Sequence, residues 1–260
     1  MGDRKLRILL SNDDGINAPG LAALHHEICK IADVTVVAPD SEKSAVGHAI
    51  TLSDPLRVWN FQKDGRFFGY AVNGTPADCV KIACWALLKE KPDLIISGIN
   101  LGSNSGINAI YSGTVSAATE GTILRVPSFA ISLTTYVDPD FSYAAQFARR
   151  LALQVRERGL PEGTLLNVNV PPVPATKIAG VRVTRQGKST YLEHFDKRTD
   201  PANRIYYWLA GKKVEVEEDL NVDDYAIKQD MVSITPLRFD LTDYEFLAEL
   251  SSWDMLSPSS

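Results

Sequence analysis

The feature that most limits what this chain can fold into is an alternation over its first two-thirds: short apolar β-rich runs exchange with stretches whose apolar residues recur at helical spacing. Residues 6–10 read as a buried strand ending in the polar turn at 11–17. Pro19 suits a first helical turn, and Leu21, Leu24, Ile28 and Ile31 then give one apolar face. Residues 34–38 are predicted as the next strand, closed by Pro39-Asp40. Residues 50–61 and 67–72 read as an extended pair joined by the turn Lys63-Asp64-Gly65. Thr75, Pro76 and Asp78 start a helix continued by Val80, Ala83, Cys84 and Leu87. A short strand at 94–97 leads into a Gly- and Asn-rich loop at 98–108. A helix at 114–124 with the small residues Ala117 and Ala118, a strand at 126–133, a helix marked by Ala144, Phe147, Ala148, Leu151 and Val155, and a strand at 165–170 complete the series. This order predicts an α/β fold, a mostly parallel sheet with helices on both faces.

After about Pro174 the texture changes. Residues 181–184, 204–209 and 232–237 look extended, but the segments between them are polar, and 215–224 is strongly acidic. The expectation is a single domain over 1–260, with a core to about 174 and a region from about 175 to 260 that forms an extended arm leaning on the core or on another subunit.

A net charge of −5 without a basic block argues against a large nucleic-acid surface, though not against a small anionic substrate held by local N–H groups and a metal. The charged start at 1–7 lacks the pattern of a signal peptide, and no apolar stretch reaches about 18 residues, so a soluble cytoplasmic protein without membrane contact is expected. Cys29, Cys79 and Cys84, an odd count without CxxC spacing, read as buried free thiols in a reducing compartment.

Ligands in open α/β sheets bind beyond the carboxyl ends of the strands. Asn12-Asp13-Asp14-Gly15, the stretch 41–48, the loop 98–108 and Ser112-Gly113-Thr114 all fall at such ends. Asp13 and Asp14 would repel if close and ionised. A hard cation would reverse that, with Gly15 permitting the bend they need; the plainer reading is a solvated turn with an aspartate cap. Residues 98–106 can bring backbone and amide groups to a ligand or be an ordinary flexible loop. Ser112-Gly113-Thr114 offers phosphate a helix N-terminus or is simple N-capping. A zinc site is disfavoured, since no HExxH or Cys/His cluster exists; His48 is kept as a supporting candidate near the site. The glycine fingerprint of dinucleotide folds, the second Asp two positions on of aspartyl phosphatases and the GxSxG elbow are all missing.

Six stretches in order, ILLSNDDG (8–15), APDSEKSAVGHAIT (38–51), NGTPADCV (73–80), PDLIISGINLGSN (92–104), YSGTVSAATEG (111–121) and SITPL (233–237), resemble the SurE family of survival-protein nucleotidases. The resemblance implies a Rossmann-like core and metal-dependent hydrolysis of nucleoside 5′- and 3′-monophosphates, with short polyphosphate a further candidate substrate. It implies one divalent cation per subunit, Mg or Mn, on Asp13, Asp14, Ser44 and Asn100. Asp13, Asp14 and Asn104 would be catalytic, and Asn12, Asn104, Ser112, Gly113 and Thr114 would bind the phosphate. It also implies a homodimer or homotetramer that exchanges C-terminal segments. Departures fall in the tail, at Asn221-Val222-Asp223 and Asp230-Met231, where Gly-Thr-Asp and Gly-Tyr are common. Direct attack by water is the favoured route over an aspartyl phosphoenzyme, and a nucleotide-sensing module without turnover is the alternative from another class.

Overall fold

The computed structural model describes residues 5–214 and 217–253. The first four residues and the head of the acidic run, Glu215 and Val216, lie outside the described residues. In chain order, β1 (Leu6–Ser11), α1 (Pro19–Ile28), β2 (Ala32–Pro39), β3 (Val58–Lys63), β4 (Arg66–Val72) and α2 (Pro76–Ile82) come first. Then follow β5 (Leu94–Leu101), α3 (Asn108–Tyr111), α4 (Gly113–Ile123), β6 (Ser128–Leu133), α5 (Ser142–Arg158) and β7 (Thr164–Val170). The last third holds β8 (Gly180–Val183), β9 (Thr190–Thr199), β10 (Ile205–Val214), α6 (Asp223–Lys228), β11 (Met231–Arg238) and α7 (Tyr244–Leu250).

Nine strands form one sheet in the order β3-β4-β2-β1-β5-β6-β7-β11-β8. The run from β4 to β7 is parallel throughout, and β3 and β11 pair antiparallel with β4 and β7. Alternation along β1 explains why both faces must be covered: Leu6, Ile8 and Leu10 enter one core with α1 and α5, while Leu9 enters a second core with α2 and α4. Ile8, Leu9 and Leu10 are each essentially inaccessible to solvent, worth on the order of 1.5–3 kcal/mol apiece. α4 packs close because its buried faces carry Gly113, Ala117, Ala118 and Gly121.

α2 begins as expected: the Thr75 hydroxyl accepts from the Asp78 N–H, while Asp78 accepts from the Thr75 N–H. Its continuation widens into a π turn at Ala83–Leu87. Of the extended stretch expected at 50–61, only β3 is strand; residues 50–57 are loop. β5 runs four residues further than its apolar core, through Gly98 and Asn100, with a register shift against β6 between Ser97 and Asn100. The first part of the expected Gly/Asn loop is therefore strand, which gives Asn100 a fixed direction.

The tail divides differently from its texture. β8 and β11 belong to the main sheet, and Val232, Ser233 and Thr235 are buried there, so the sheet continues well past Pro174. Only the β9–β10 hairpin stands apart as a two-stranded arm. β9 escaped detection because its sequence is largely polar, as befits a ribbon exposed to solvent. The cysteines are all free; Cys79 and Cys84 are buried as expected, but Cys29 is exposed beside His25 at the end of α1.

Candidate active site

Asp13 stands two residues beyond the end of β1 and is 4% exposed. Its Oδ1 accepts a hydrogen bond from the Thr114 hydroxyl, which reaches it from the first turn of α4. Gly113 makes that approach feasible: a Cβ at this position would lie 2.7 Å from the Asp13 Cβ, so any side chain would force the helix off the acid. Gly15, at φ +94°, turns the chain after the acid pair. Asp14 is anchored across the sheet, accepting from the Leu101 N–H at 3.2 Å. Burial raises the Asp14 carboxyl to about 7, with the neighbouring Asp13 charge the second cause. Burial also raises Asp13, opposed by the Thr114 hydroxyl and N–H and reinforced by Glu42.

Asn100, at the end of β5, donates its amide nitrogen to Gly102 O at 2.8 Å, which leaves its Oδ1 for another partner. Asn104 is held on three sides. Its N–H donates to Asn169 Oδ1 at 2.9 Å, its carbonyl accepts from Asn167 Nδ2 at 2.7 Å, and its own Nδ2 donates to Ser132 Oγ at 2.9 Å. Ser112 caps α4, its Oγ accepting from the Val115 N–H at 3.0 Å, so the hydroxyl proton remains to be donated elsewhere. The 41–51 loop is stitched over these elements: Lys43 N–H to Asp13 O, Gly47 N–H to Tyr111 O, and Thr51 to Asp78.

A cavity of about 400 Å³ opens among these groups. Asp13, Glu42, Ser44, Asn100, Asn104 and Ser112 form its polar wall, and Asn108, Tyr111 and Tyr136 lie along the rest. It sits beyond the carboxyl ends of β1 and β5, neighbours in the parallel sheet, where ligands of such folds bind. The volume falls in the range of small-molecule sites and exceeds what a bare phosphate needs.

A family model described as "Survival protein SurE" matches residues 8–193. The chain belongs to the SurE family. The 5′-nucleotidase SurE of Syntrophobacter fumaroxidans is 49% identical over 96% of this chain and all of that protein. The 5′-nucleotidase SurE of Syntrophus aciditrophicus is 53% identical over 95% of this chain and 93% of its own length. Among solved structures, the SurE protein from Aquifex aeolicus matches with a TM-score of 0.83 at 40% identity, covering 94% of this chain and 98% of that one.

Within this SurE-family chain, the residues singled out in the sequence converge on one place but do different work. Asp13, Ser44, Asn100, Asn104 and Ser112 line the cavity together; Ser44 donates to Glu42 at 2.6 Å. Asn12, Gly113 and Thr114 do not line it. Asn12 is fully buried with its Nδ2 on Gly15 O at 2.9 Å, and the Thr114 hydroxyl is spent on Asp13. Asp14 also stands outside the cavity wall, next to Asp13 and tied to β5. His48 reaches Glu120 on α4 at 3.0 Å, so it pins the loop that carries Ser44. Sequence reading missed the Asn167 and Asn169 pair behind Asn104, although two amides at i and i+2 in the otherwise apolar LLNVNV strand were a signal. It also missed Glu42, Tyr111 and Tyr136 as cavity residues, although Glu42 lies in the stretch 41–48 and Tyr111 opens the stretch 111–121.

Proposed function

We propose that this chain is a divalent-metal-dependent nucleotidase that hydrolyses nucleoside 5′-monophosphates, and 3′-monophosphates and short polyphosphate as further substrates. The observation that carries this reading is the cavity in which buried Asp13 meets the amides of Asn100 and Asn104 and the hydroxyl of Ser112. Near-full-length similarity to proteins named 5′-nucleotidase SurE supports the same activity.

The residues present fit a hard divalent cation. The donors are oxygens only: Asp13 and Asp14 carboxylates, Asn100 Oδ1 and Ser44 Oγ, the set that suits Mg²⁺ or Mn²⁺. Two adjacent carboxylates held above their usual pKa are the arrangement a cation would relieve. The buried Asn12 Oδ1, one residue before them, has no hydrogen-bond partner among the described residues. A cation bound there supplies Lewis-acid polarisation of a phosphoryl oxygen.

The chain's own groups do the rest. Ser112 donates its hydroxyl proton and Asn104 its second amide N–H to the phosphoryl oxygens, and the α4 N-terminus favours their charge. A water attacks phosphorus in line: the new P–O bond forms as the ester P–O bond breaks, and the leaving ribose oxygen takes up a proton from bulk solvent. Asp13 or Asp14 orients that water and accepts its proton. The nucleoside extends toward Tyr111 and Tyr136, whose rings offer stacking area that bare phosphate leaves unused.

Magnesium or manganese as the ion, a homodimer or homotetramer built through the arm, and a cytoplasmic location complete the proposal. No described helix is long and apolar enough to cross a membrane. The test is release of inorganic phosphate from nucleoside monophosphates with and without chelator. A protein that binds the nucleotide and releases nothing in saturating Mg²⁺ or Mn²⁺ is a sensing module instead.

A further inference from the structure

Asp224 is the second residue of α6, and its side chain is tied to two distant parts of the chain. Its Oδ1 accepts from the Ser105 hydroxyl, on the residue after Asn104. The same oxygen takes the Lys213 ammonium, near the end of β10, and Oδ2 takes the Ser189 hydroxyl, one residue before β9. Ser189 and Lys213 are the two roots of the arm. One nearly buried carboxylate therefore joins the loop that carries Asn104 to both strands of the hairpin at their base.

The neighbouring bonds tighten this junction. Lys213 Nζ also donates to Ser105 Oγ at 3.2 Å, and Ser103 and Ser105 share a hydroxyl contact at 2.5 Å. Asp223 accepts from the Gly106 N–H at 2.8 Å and from the Gly187 N–H at 2.9 Å, and Gln186 Nε2 donates to Gly106 O at 2.8 Å. There is no room to spare: a Cβ on Gly106 would stand 2.2 Å from Ser189 Oγ and 2.8 Å from Asp224 Oδ2. Asn104 is thus fixed from the sheet side by Asn167, Asn169 and Ser132, and from the arm side through Ser105 and Gly106.

We propose that Asp224 is a positioning residue that couples the root of the β9–β10 arm to Asn104, so that the placement of the arm sets how well the phosphate loop is ordered. The proposal rests on the reading of Asn104 as a phosphate-facing group. A carboxylate with three donors, one of them a cation, is a strong and directional anchor. Asparagine at this position loses the charge and presents a donor where three donors already converge. A displacement of Asn104 of less than an ångström is enough to weaken its contact in the transition state.

The test is a double-mutant cycle on the full chain between Asp224→Asn and Asn104→Ala, read by steady-state phosphate release from a nucleoside monophosphate in saturating Mg²⁺ or Mn²⁺. Asp224→Asn alone is expected to lower kcat about ten- to a hundredfold with a much smaller change in KM. In the Asn104→Ala background the same change is expected to alter kcat by no more than about twofold, while the fall in Tm is equal in both backgrounds. Ser189→Ala, which removes only an arm-root donor, should lower kcat in the same direction by less. Equal losses of kcat in both backgrounds, or a kcat in Asp224→Asn within about twofold of the parent, would overturn the proposal. So would an unchanged kcat in both Ser189→Ala and Lys213→Met, since the arm would then have no part in it. Amide hydrogen exchange at Asn104 and Gly106, expected to quicken in Asp224→Asn, decides the anchoring independently of turnover. A parent that releases no phosphate refutes the nucleotidase reading and the effect of Asp224 on turnover with it, whereas unchanged exchange in Asp224→Asn refutes the anchor itself.

Discussion

The Thr114 hydroxyl donates to the carboxylate of Asp13, so a residue in the first turn of α4 holds one just beyond β1. Two elements far apart in sequence are thereby locked together at Asp13. Thr114→Val keeps the shape and removes the donor, leaving a buried carboxylate one bond short. It should cost about 1–3 kcal/mol in urea unfolding and lower phosphate release, with Thr114→Ser restoring most of both. Unchanged stability and turnover in Thr114→Val would show that the bond holds nothing.

The acid pair makes the metal-free protein sensitive to pH. The Asp14 carboxyl lies at about 7 in the folded chain against an ordinary 3.8. Between those values the folded chain keeps a proton that the unfolded chain has lost, so this group's contribution to stability falls as pH rises from about 4 to about 7 and is gone above that. Asp13, also raised, acts in the same direction. In chelator, Tm should therefore fall from pH 5 to pH 8, and Asp14→Asn should flatten that slope. A parent and variant with the same slope would remove Asp14 as its source.

Glu120 is buried in α4, where its carboxylate accepts from His48 at 3.0 Å and from Lys81 at 2.5 Å. These donors outweigh its burial and hold its carboxyl below the ordinary value. Stripping both donors, in His48→Phe with Lys81→Met, leaves a buried charge uncompensated and should destabilise by about 3–5 kcal/mol. Adding Glu120→Gln to that pair should recover a large part of the loss, as read by urea unfolding. No recovery would mean that the donors act by packing alone.

The arm exposes Leu192, Phe195, Tyr207, Trp208 and Leu209, with Trp208 60% accessible. Such a ribbon seldom stands alone in water, since isolated hairpins are marginal. Light scattering of the parent should report a dimer or tetramer, and Trp208→Glu with Leu209→Glu should shift it toward monomer. A parent that is monomeric and fully active at micromolar concentration would contradict the oligomer.

Most of the sheet could be read in the sequence because its strands are buried on both faces, and a run such as Ile8 to Leu10 has no other use. The acid pair and the α4 N-terminus stood out for the opposite reason, as polar clusters at strand ends. What stayed hidden depends on contacts between distant residues. Thr114 could be seen at a helix start, but only the fold turns its hydroxyl onto Asp13 and away from the cavity. The stretch 232–237 could be read as extended but not as a member of the main sheet, where Ser233 and Thr235 are buried and bonded to Thr184. Asp224 closed a strongly acidic stretch with nothing to single it out, whereas it gathers three donors from across the chain.

Asp13 is proposed to belong to a cation-dependent phosphoryl-transfer site and not to be a structural cap. Asp13→Asn keeps an oxygen acceptor for Thr114 and removes the charge. Unfolding of parent and variant in chelator and in Mg²⁺ or Mn²⁺, beside phosphate release from a nucleoside monophosphate, tests the claim most directly. The variant should match the parent in chelator or exceed it by about 0.5–2 kcal/mol, as where a site trades stability for function. The parent should gain about 2.7 kcal/mol at a hundred times the metal's Kd, the variant much less, and the variant's turnover should fall by orders of magnitude. A variant markedly less stable in chelator, or one that keeps near-normal turnover, would contradict the account.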